Sequence, residues 1–564
     1  MPRKVMSMDR IVECVPNFSE GKNAKVIEEI AEAIKSTENV YLLDVDPGEA
    51  TNRTVMTFVG APEAVLEAAF RAIKKASELI DMRNHKGAHP RMGATDVCPF
   101  VPVRGVTMDE CVELAKKLGE RVGEELGIPV YLYEYAATAD YRKNLADIRA
   151  GEYEALKDKL ADERWKPDYG PSEWNEKIAK TGATVIGARD FLIAYNINLN
   201  TTDKKLAHKI AKVIREKGYK KKQEDGTKIQ VPGRLKNVKA IGWYIDEYKR
   251  AQISINLTNF HETPLWKVFE VASEEAEKIG LRVTGSEIVG LIPLEAMLDV
   301  GRHFLEKQGK STAIPERDIV HAAILSLGLN EVAPFDPDEK VIEYKIEKME
   351  AKPKLVNLSL KDFADELSRD SPAPGGGSVA ALNGALGASL CSMVANLTYG
   401  KRKYKDVWND MISIGLRAQA LKDKFITLID KDTEAFDAFM AAFRLPKKSE
   451  EEKRIRELEI EKATKRAIEV PLETLRSTPE ILELANSLSF KGNKNALSDA
   501  GVAALTAHAA AYAAYLNVLI NLSGLKDEKY ADKVKSEAAE LVTEVRNKSE
   551  EIVNRIIKEL SEKE

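Results

Sequence analysis

Along the first third of the chain, short apolar runs alternate with stretches whose apolar positions recur every three or four residues, the spacing of one buried helix face. The pattern predicts strands at 10–19, 40–45, 54–59, 97–103 and 129–135, and helices at 23–36, 62–79 and 108–126. It restarts at Phe191, with strands at 191–198, 238–245, 251–258 and 283–291 and helices at 203–217 and 264–279. Each half reads β-α-β-β-α-β, the ferredoxin-like order. Two such halves predict paired α/β subdomains with a cleft between them, a usual place for a ligand.

The character changes at Pro334-Phe335-Asp336-Pro337. A short strand at 341–344 followed by the polar 345–354 reads as a linker. From 358 onward no strand pattern appears; Ala, Leu, Lys and Glu recur at helical spacing, which predicts an all-α bundle. The predicted fold class is therefore multidomain: two ferredoxin-like α/β subdomains, then an all-α helical bundle. The boundaries are 1–190, 191–336, a linker at 337–354, and 355–564. A chain of 564 residues exceeds what one core supports. The Ala-rich stretches 378–393 and 503–522 have the length of membrane spans, but they hold Asn383, His508, Asn517 and Asn521. Alanine drives little insertion and polar groups in lipid are costly, so both are expected to be buried bundle helices.

Composition changes this picture little. Lys plus Arg is 85 against 90 Asp plus Glu, a net charge of −5, so nothing global attracts nucleic acid or a membrane. An anionic ligand would need local basic patches such as 401–405 or 491–494. The four cysteines form no CxxC pair and no Cys/His cluster, which argues against zinc and against a disulfide framework. The first residues lack the apolar run of a signal peptide, and a reducing cytoplasm is the expected location.

The densest chemistry lies in Arg83-Asn84-His85-Lys86-Gly87-Ala88-His89-Pro90-Arg91-Met92-Gly93-Ala94-Thr95-Asp96. Either histidine can exchange a proton near neutral pH, and Arg83, Lys86 and Arg91 can hold a carboxylate. The plain alternative is a basic loop capping a sheet edge, with its histidines hydrogen-bonded. Gly87 and Pro90 argue against the helix that would make His85 and His89 metal ligands, so no metal is expected. A second cluster, Ser371-Pro372-Ala373-Pro374-Gly375-Gly376-Gly377-Ser378, precedes a helix predicted at 379–396. Its glycines either expose N–H groups to an anion or make a tight turn with a close helix contact. Asp430, Asp432 and Glu434, taken alone, read as a solvated helix face.

Several stretches, taken in order, carry a resemblance. Cys14-Val15-Pro16-Asn17-Phe18-Ser19-Glu20-Gly21, Thr51-Asn52-Arg53-Thr54, the 85–96 loop, Ile148-Arg149-Ala150-Gly151-Glu152-Tyr153, Phe191-Leu192-Ile193-Ala194-Tyr195-Asn196 and Gly242-Trp243-Tyr244 resemble the glutamate formimidoyltransferase family. The glycine run, Tyr399-Gly400-Lys401-Arg402, 430–436, Arg444-Leu445-Pro446 and 517–522 resemble formimidoyltetrahydrofolate cyclodeaminases. The chain thus looks like the bifunctional formimidoyltransferase-cyclodeaminase family over nearly its whole length.

That resemblance implies formimino transfer from N-formimidoylglutamate to tetrahydrofolate, then ring closure to 5,10-methenyltetrahydrofolate with loss of ammonia, at the end of histidine breakdown. It implies His89 as the catalytic histidine and Asp432 as the catalytic acid. Gly170, Pro171, Ser172, Gly182, Gly233 and Arg234 fall in stretches matching the transferase's folate site, and Gly375, Gly376, Gly377 and Ser378 in the second folate site. Arg83, His85, Lys86 and Arg91 are the substrate-binding candidates. Tetrahydrofolate, with or without a polyglutamate tail, is the implied co-substrate, and the assembly is a homo-oligomer built from dimers, with no nucleic acid and no membrane partner. Elementary chemistry agrees: attack on an amidine-like carbon needs a base for the incoming amine and an acid for the leaving one, and one imidazole with a pKa of about 6.5 can serve as both. The alternatives are a formyl or formimidoylglycine donor, a methenyltetrahydrofolate cyclohydrolase of the same helical fold, and a folate-binding scaffold without activity.

Overall fold

The computed structural model describes residues 10–49, 52–87, 90–224, 226–349 and 354–562. The chain divides into two compact units, 1–297 with 327–350, and 298–326 with 351–564. The first is an α/β sheet region and the second is helical.

The first unit opens with β1 (Ile11–Cys14) and β2 (Asn17–Phe18), where a single strand at 10–19 was expected. The interruption falls at Val15-Pro16, since proline has no N–H for the ladder. Then come α1 (Ala24–Lys35), β3 (Val40–Gly48), β4 (Arg53–Gly60), α2 (Pro62–Leu79), β5 (Thr95–Arg104), α3 (Met108–Leu126), β6 (Val130–Glu134) and β7 (Thr184–Ala188). Local signals set the helix ends. Asn23 caps α1, Thr107 and Glu110 form a capping box on α3, and Gly127 ends α3 in the left-handed region. The sheet runs β3-β4-β1/β2-β5-β7-β6, antiparallel up to β5 and parallel from β5 through β7 to β6. Helices α1–α3 cover one face over Val12, Phe18, Phe58, Phe100 and Ile186. Strand β7 was not anticipated: five residues containing a glycine are too short a signal.

The second half of this unit holds β8 (Ile193–Leu199), α4 (Lys204–Ile214), β9 (Tyr219–Lys222), β10 (Lys228–Val231), β11 (Val238–Ile245), β12 (Arg250–Leu257), α5 (Leu265–Glu277) and β13 (Val283–Val289). Strands β9 and β10 form a separate hairpin. The four-stranded sheet is antiparallel in the order β11-β12-β8-β13.

Two expectations change here. Residues 337–349 are not an extended linker. Only Val341 makes a strand-like bridge, to Ile292, and the chain then turns into a helix at Ile342–Met349 that buries Ile342, Tyr344 and Ile346. Glu343 is buried as well and accepts from the Leu294 N–H at 2.8 Å. The apolar spacing Ile342/Ile346 was helical, but the lysines and glutamates around it masked the pattern. Second, residues 298–326, expected in the α/β part, belong to the helical unit. Ala313 is fully buried there; the Asn396 Nδ2 donates to its carbonyl at 2.7 Å, and Gly415 leaves room for its methyl group.

With α6 (Leu294–Lys307), α7 (Glu316–Leu327) and α8 (Ile342–Met349) named, the long helices are α9 (Gly376–Thr398), α10 (Trp408–Phe443), α11 (Glu450–Lys491), α12 (Leu497–Leu522) and α13 (Glu528–Ser561). Their shared core is rich in alanine, including Ala381, Ala385, Ala388, Ala504, Ala507 and Ala511. Small side chains let α9, α10 and α12 pack closely. By length and composition α9 and the segment Lys494–Leu522 could cross a membrane, but 61% of the apolar window is buried inside the bundle in the first and 39% in the second. The expectation of two buried helices thus suits α9 better than α12.

If α8 is core rather than linker, Ile346→Ala should destabilise the first unit by about 2–4 kcal/mol, the range for deleting a buried aliphatic side chain. Denaturant unfolding of the full chain, followed by the fluorescence of the first unit, measures this. An unchanged midpoint would return 337–349 to a linker.

Candidate active sites

The first site forms where the β1/β2 break, the β3–β4 hairpin and the loop before β5 meet. A crevice there is lined by Asn17, Ser19, Asn52, Arg53, His85, Arg91 and Asp96. The Ser19 Oγ donates to the Gly93 carbonyl at 2.7 Å. Asn52 sits in the left-handed region, which asparagine tolerates better than most side chains. Three of its groups tie separate segments together: Oδ1 accepts from the Gly21 N–H at 3.0 Å, Nδ2 donates to the Lys86 carbonyl at 2.9 Å, and its carbonyl lies 2.9 Å from the His85 Nε2.

A carbonyl can only accept, so Nε2 of His85 carries the proton. The Arg91 Nε, a donor only, then points at the His85 Nδ1 from 3.3 Å. Both ring nitrogens of His85 are therefore committed. Arg91 is buried, and its Nη atoms donate to Glu152 at 2.8 Å and Glu154 at 2.7 and 2.8 Å. Asp96, almost fully buried, pairs with Arg149 and accepts from the Met92 N–H at 2.9 Å. Burial pushes its carboxyl up; Arg149 pulls it back.

Of the candidates named from the sequence, His85 and Arg91 meet in this crevice. Arg83 is engaged elsewhere, with Asp81 at 2.6 Å and Glu176 at 3.4 Å. Lys86 is exposed on the loop. His89 lies outside the described residues. Asn17, Ser19, Asn52, Arg53, Asp96 and Arg149 had not been picked out, although all lie within the motif stretches.

The folate candidates separate by role. Gly182 is structural: it faces Gly93 across an isolated bridge, and a Cβ on either would collide with the other segment's backbone. Gly170 packs on α3 and Gly233 on the end of α4, both through backbone. Arg234 donates to Glu274 and Glu275, each at 2.7 Å, so its fork is filled. Pro171 and Ser172 are half-buried in their loop.

The second site is built on α9 and α10. The N-cap of α9 is Gly375, which has no side chain to satisfy the first N–H groups. Asp432, projecting from α10, takes that place. Its carboxyl lies against Gly377, where any Cβ would collide with it, and it accepts hydrogen bonds from the Ser378 N–H and, at 3.2 Å, from the Ser378 Oγ. Burial nonetheless pushes the Asp432 carboxyl up, against the downward pull of Ser378. Ser378 is fully buried, and its hydroxyl also reaches the Ile429 carbonyl at 3.1 Å, so it supports Asp432 from behind. The other two acids are accounted for. Asp430 accepts from the Leu355 N–H at 2.8 Å, and Glu434 pairs loosely with Arg466 at 3.8 Å. In the basic patch 491–494, Lys491 pairs with Asp410 at 2.7 Å and Lys494 with Glu559 at 2.9 Å, which largely neutralises it.

Gly377→Ala should displace the Asp432 carboxyl while leaving α9 helical, lowering activity at the second site by roughly tenfold or more. Far-ultraviolet circular dichroism beside the turnover rate of this site checks this; full activity would mean that the contact is dispensable.

Comparison with known proteins gives three consecutive family matches. Residues 11–189 match the formiminotransferase domain, N-terminal subdomain; 194–347 match the formiminotransferase domain; and 359–540 match formiminotransferase-cyclodeaminase. The chain is 46% identical to formimidoyltransferase-cyclodeaminase of Rattus norvegicus over 542 residues, 96% of this chain and 98% of that protein. It is 46% identical to glutamate formimidoyltransferase of Streptococcus pyogenes over 300 residues, 53% of this chain and 94% of that protein. It is 43% identical to methenyltetrahydrofolate cyclohydrolase of Methylorubrum extorquens over 188 residues, 33% of this chain and 90% of that protein.

Proposed function

The chain belongs to the formimidoyltransferase-cyclodeaminase family, and from that premise we propose which of its residues carry the two reactions. It transfers the formimino group from N-formimidoyl-L-glutamate to tetrahydrofolate, and then cyclodeaminates the 5-formimidoyltetrahydrofolate to 5,10-methenyltetrahydrofolate and ammonia.

In the transfer, N5 of tetrahydrofolate attacks the formimino carbon, the bond from that carbon to the glutamate nitrogen breaks, and the N5 proton ends on the departing nitrogen. A group that is base and then acid needs a nitrogen free to do both. His85 has none, with Asn52 on one side and Arg91 on the other. That observation favours His89 as the shuttle and makes His85, Asn52 and Arg91 the frame of its loop. Arg83 and Arg91 are paired with carboxylates, so the exposed Lys86 is the candidate for holding those of glutamate. Pro171 and Ser172 are the candidates for touching folate; Gly170, Gly182, Gly233 and Arg234 support the backbone around it.

In ring closure, N10 attacks the same carbon and gives up its proton, which ends on the formimino nitrogen; the bond to that nitrogen then breaks as a second proton arrives, so that it leaves as ammonia. Asp432 supplies the second proton. The observation that carries this role is a carboxyl pushed up by burial at a glycine mouth, with no cation among the causes of its shift. A raised acid is lost as pH rises through its pKa, so ammonia release should fall towards alkaline pH. Gly375, Gly376 and Gly377 line the approach to it.

The strand orders support a ferredoxin-like reading of both halves, the first enlarged by β6 and β7. We also propose a second copy against the helical unit. Helix α9 exposes Leu386, Met393 and Leu397, and α12 exposes Val502, Leu505, Tyr512, Leu516 and Ile520, an apolar surface of the kind that marks interfaces. A two-fold pairing would cover it. All four cysteines are buried free thiols, which suits the reducing cytoplasm proposed for the chain.

Reciprocal variants test the roles. His89→Ala should lower formimino transfer by roughly a hundredfold or more and spare ring closure of supplied 5-formimidoyltetrahydrofolate; Asp432→Asn should do the reverse and let that intermediate accumulate. Rapid methenyl formation by Asp432→Asn, followed by absorbance, would sink its role. For the assembly, light scattering of the full chain should give at least a dimer at micromolar concentration, and Leu516→Glu with Ile520→Glu should dissociate it. A wild-type monomer would rule the pairing out.

A further inference from the structure

The mouth of α9 has two walls. Gly377 faces Asp432, and its neighbour Gly376 faces Asn517 of α12. The Asn517 Nδ2 lies 3.0 Å and its Oδ1 3.5 Å from where a Cβ on Gly376 would stand. That side chain has a fixed orientation. Its Nδ2 donates to the Ala513 carbonyl at 2.8 Å, and a carbonyl can only accept, so the other atom is the oxygen. No described hydrogen bond ends on that Oδ1, and the residue is half-buried.

The site thus presents a proton donor, Asp432, beside Gly377 and, beside Gly376, the Asn517 amide, whose Oδ1 is an unengaged acceptor. The two one-carbon groups that N5 of folate can carry in this chemistry differ in that respect. A formimino group ends in nitrogen bearing hydrogen; a formyl group ends in oxygen, which only accepts. Building on the cyclodeaminase reading above, we propose that Asn517 is the specificity-determining residue of the second site, its Oδ1 accepting a hydrogen bond from the formimino N–H. Held by that bond, the nitrogen turns its lone pair towards Asp432, which protonates it as the carbon–nitrogen bond breaks. A formyl oxygen in the same place would meet the amide oxygen with no proton between them. Sites built around one hydrogen bond reject ligands that cannot complete it.

The test uses the full chain. Two quantities are read for wild type, Asn517→Ala and Asn517→Asp: kcat/KM for 5-formimidoyltetrahydrofolate, and inhibition of that reaction by 5-formyltetrahydrofolate. Asn517→Ala should lose roughly tenfold or more in kcat/KM while inhibition by the formyl compound stays the same or tightens. Asn517→Asp keeps an acceptor in place and should retain more of the preference than Asn517→Ala. Far-ultraviolet circular dichroism and the denaturant midpoint of the helical unit report that the variants are folded. Equal losses for both ligands, no loss, or an Asn517→Asp as indifferent as Asn517→Ala would each overturn the inference. The wild-type rate is read first: its absence would overturn the cyclodeaminase reading and this inference with it, whereas a normal wild-type rate with unmoved variants would overturn the inference alone.

Discussion

Both sites depend on approaches that only a missing side chain permits. At the first, Gly93 meets Gly182 backbone to backbone, which lets the Ala94 N–H donate to the Thr181 carbonyl at 2.7 Å and the Ala183 N–H to the Met92 carbonyl at 3.0 Å. Those bonds fix the start of β5, and with it Asp96 and the loop behind it. At the second, Gly377 admits a carboxyl from another helix into the position where a capping side chain would sit. Close approach removes water as well as space, and so sets the electrostatics of both sites.

Two aspartates, Asp96 buried and Asp432 half-buried, show how the same cause can serve different ends. Burial raises both Asp96 and Asp432. Asp96 is answered by the Arg149 guanidinium and the Met92 N–H, which makes it a strut for the loop. Asp432 is answered, among the described residues, by Ser378 and by no cation, and its carboxyl stays raised. A cationic partner would have fixed it as a carboxylate. His85 is likewise held, at both ring nitrogens, by Asn52 and Arg91.

Local pattern was enough for most elements. Periodicities of two and near four placed the strands and helices of both halves and the start of the helical region, because those signals are written in consecutive residues. The motif stretches led to His85, Arg91 and Asp432, which the structure puts in or beside the crevice and the glycine mouth. Where the signal was short or overlaid it was lost: β7 has five residues, and the charges of 342–349 hid a helix with three buried apolar side chains.

The amino-acid sequence by itself determined the α/β-then-helical architecture, the family and the chemical groups available to it. Only the tertiary structure decided what each group is for. It set Arg234 against Glu274 and Glu275, buried Ser378 behind Asp432, and brought Asn52 and Asn517 to the two sites from distant segments. It also drew residues 298–326 into the helical unit through Ala313. The reason is physical: a residue's role follows from burial and partners, and both are supplied by segments tens to hundreds of positions away, which no local periodicity records.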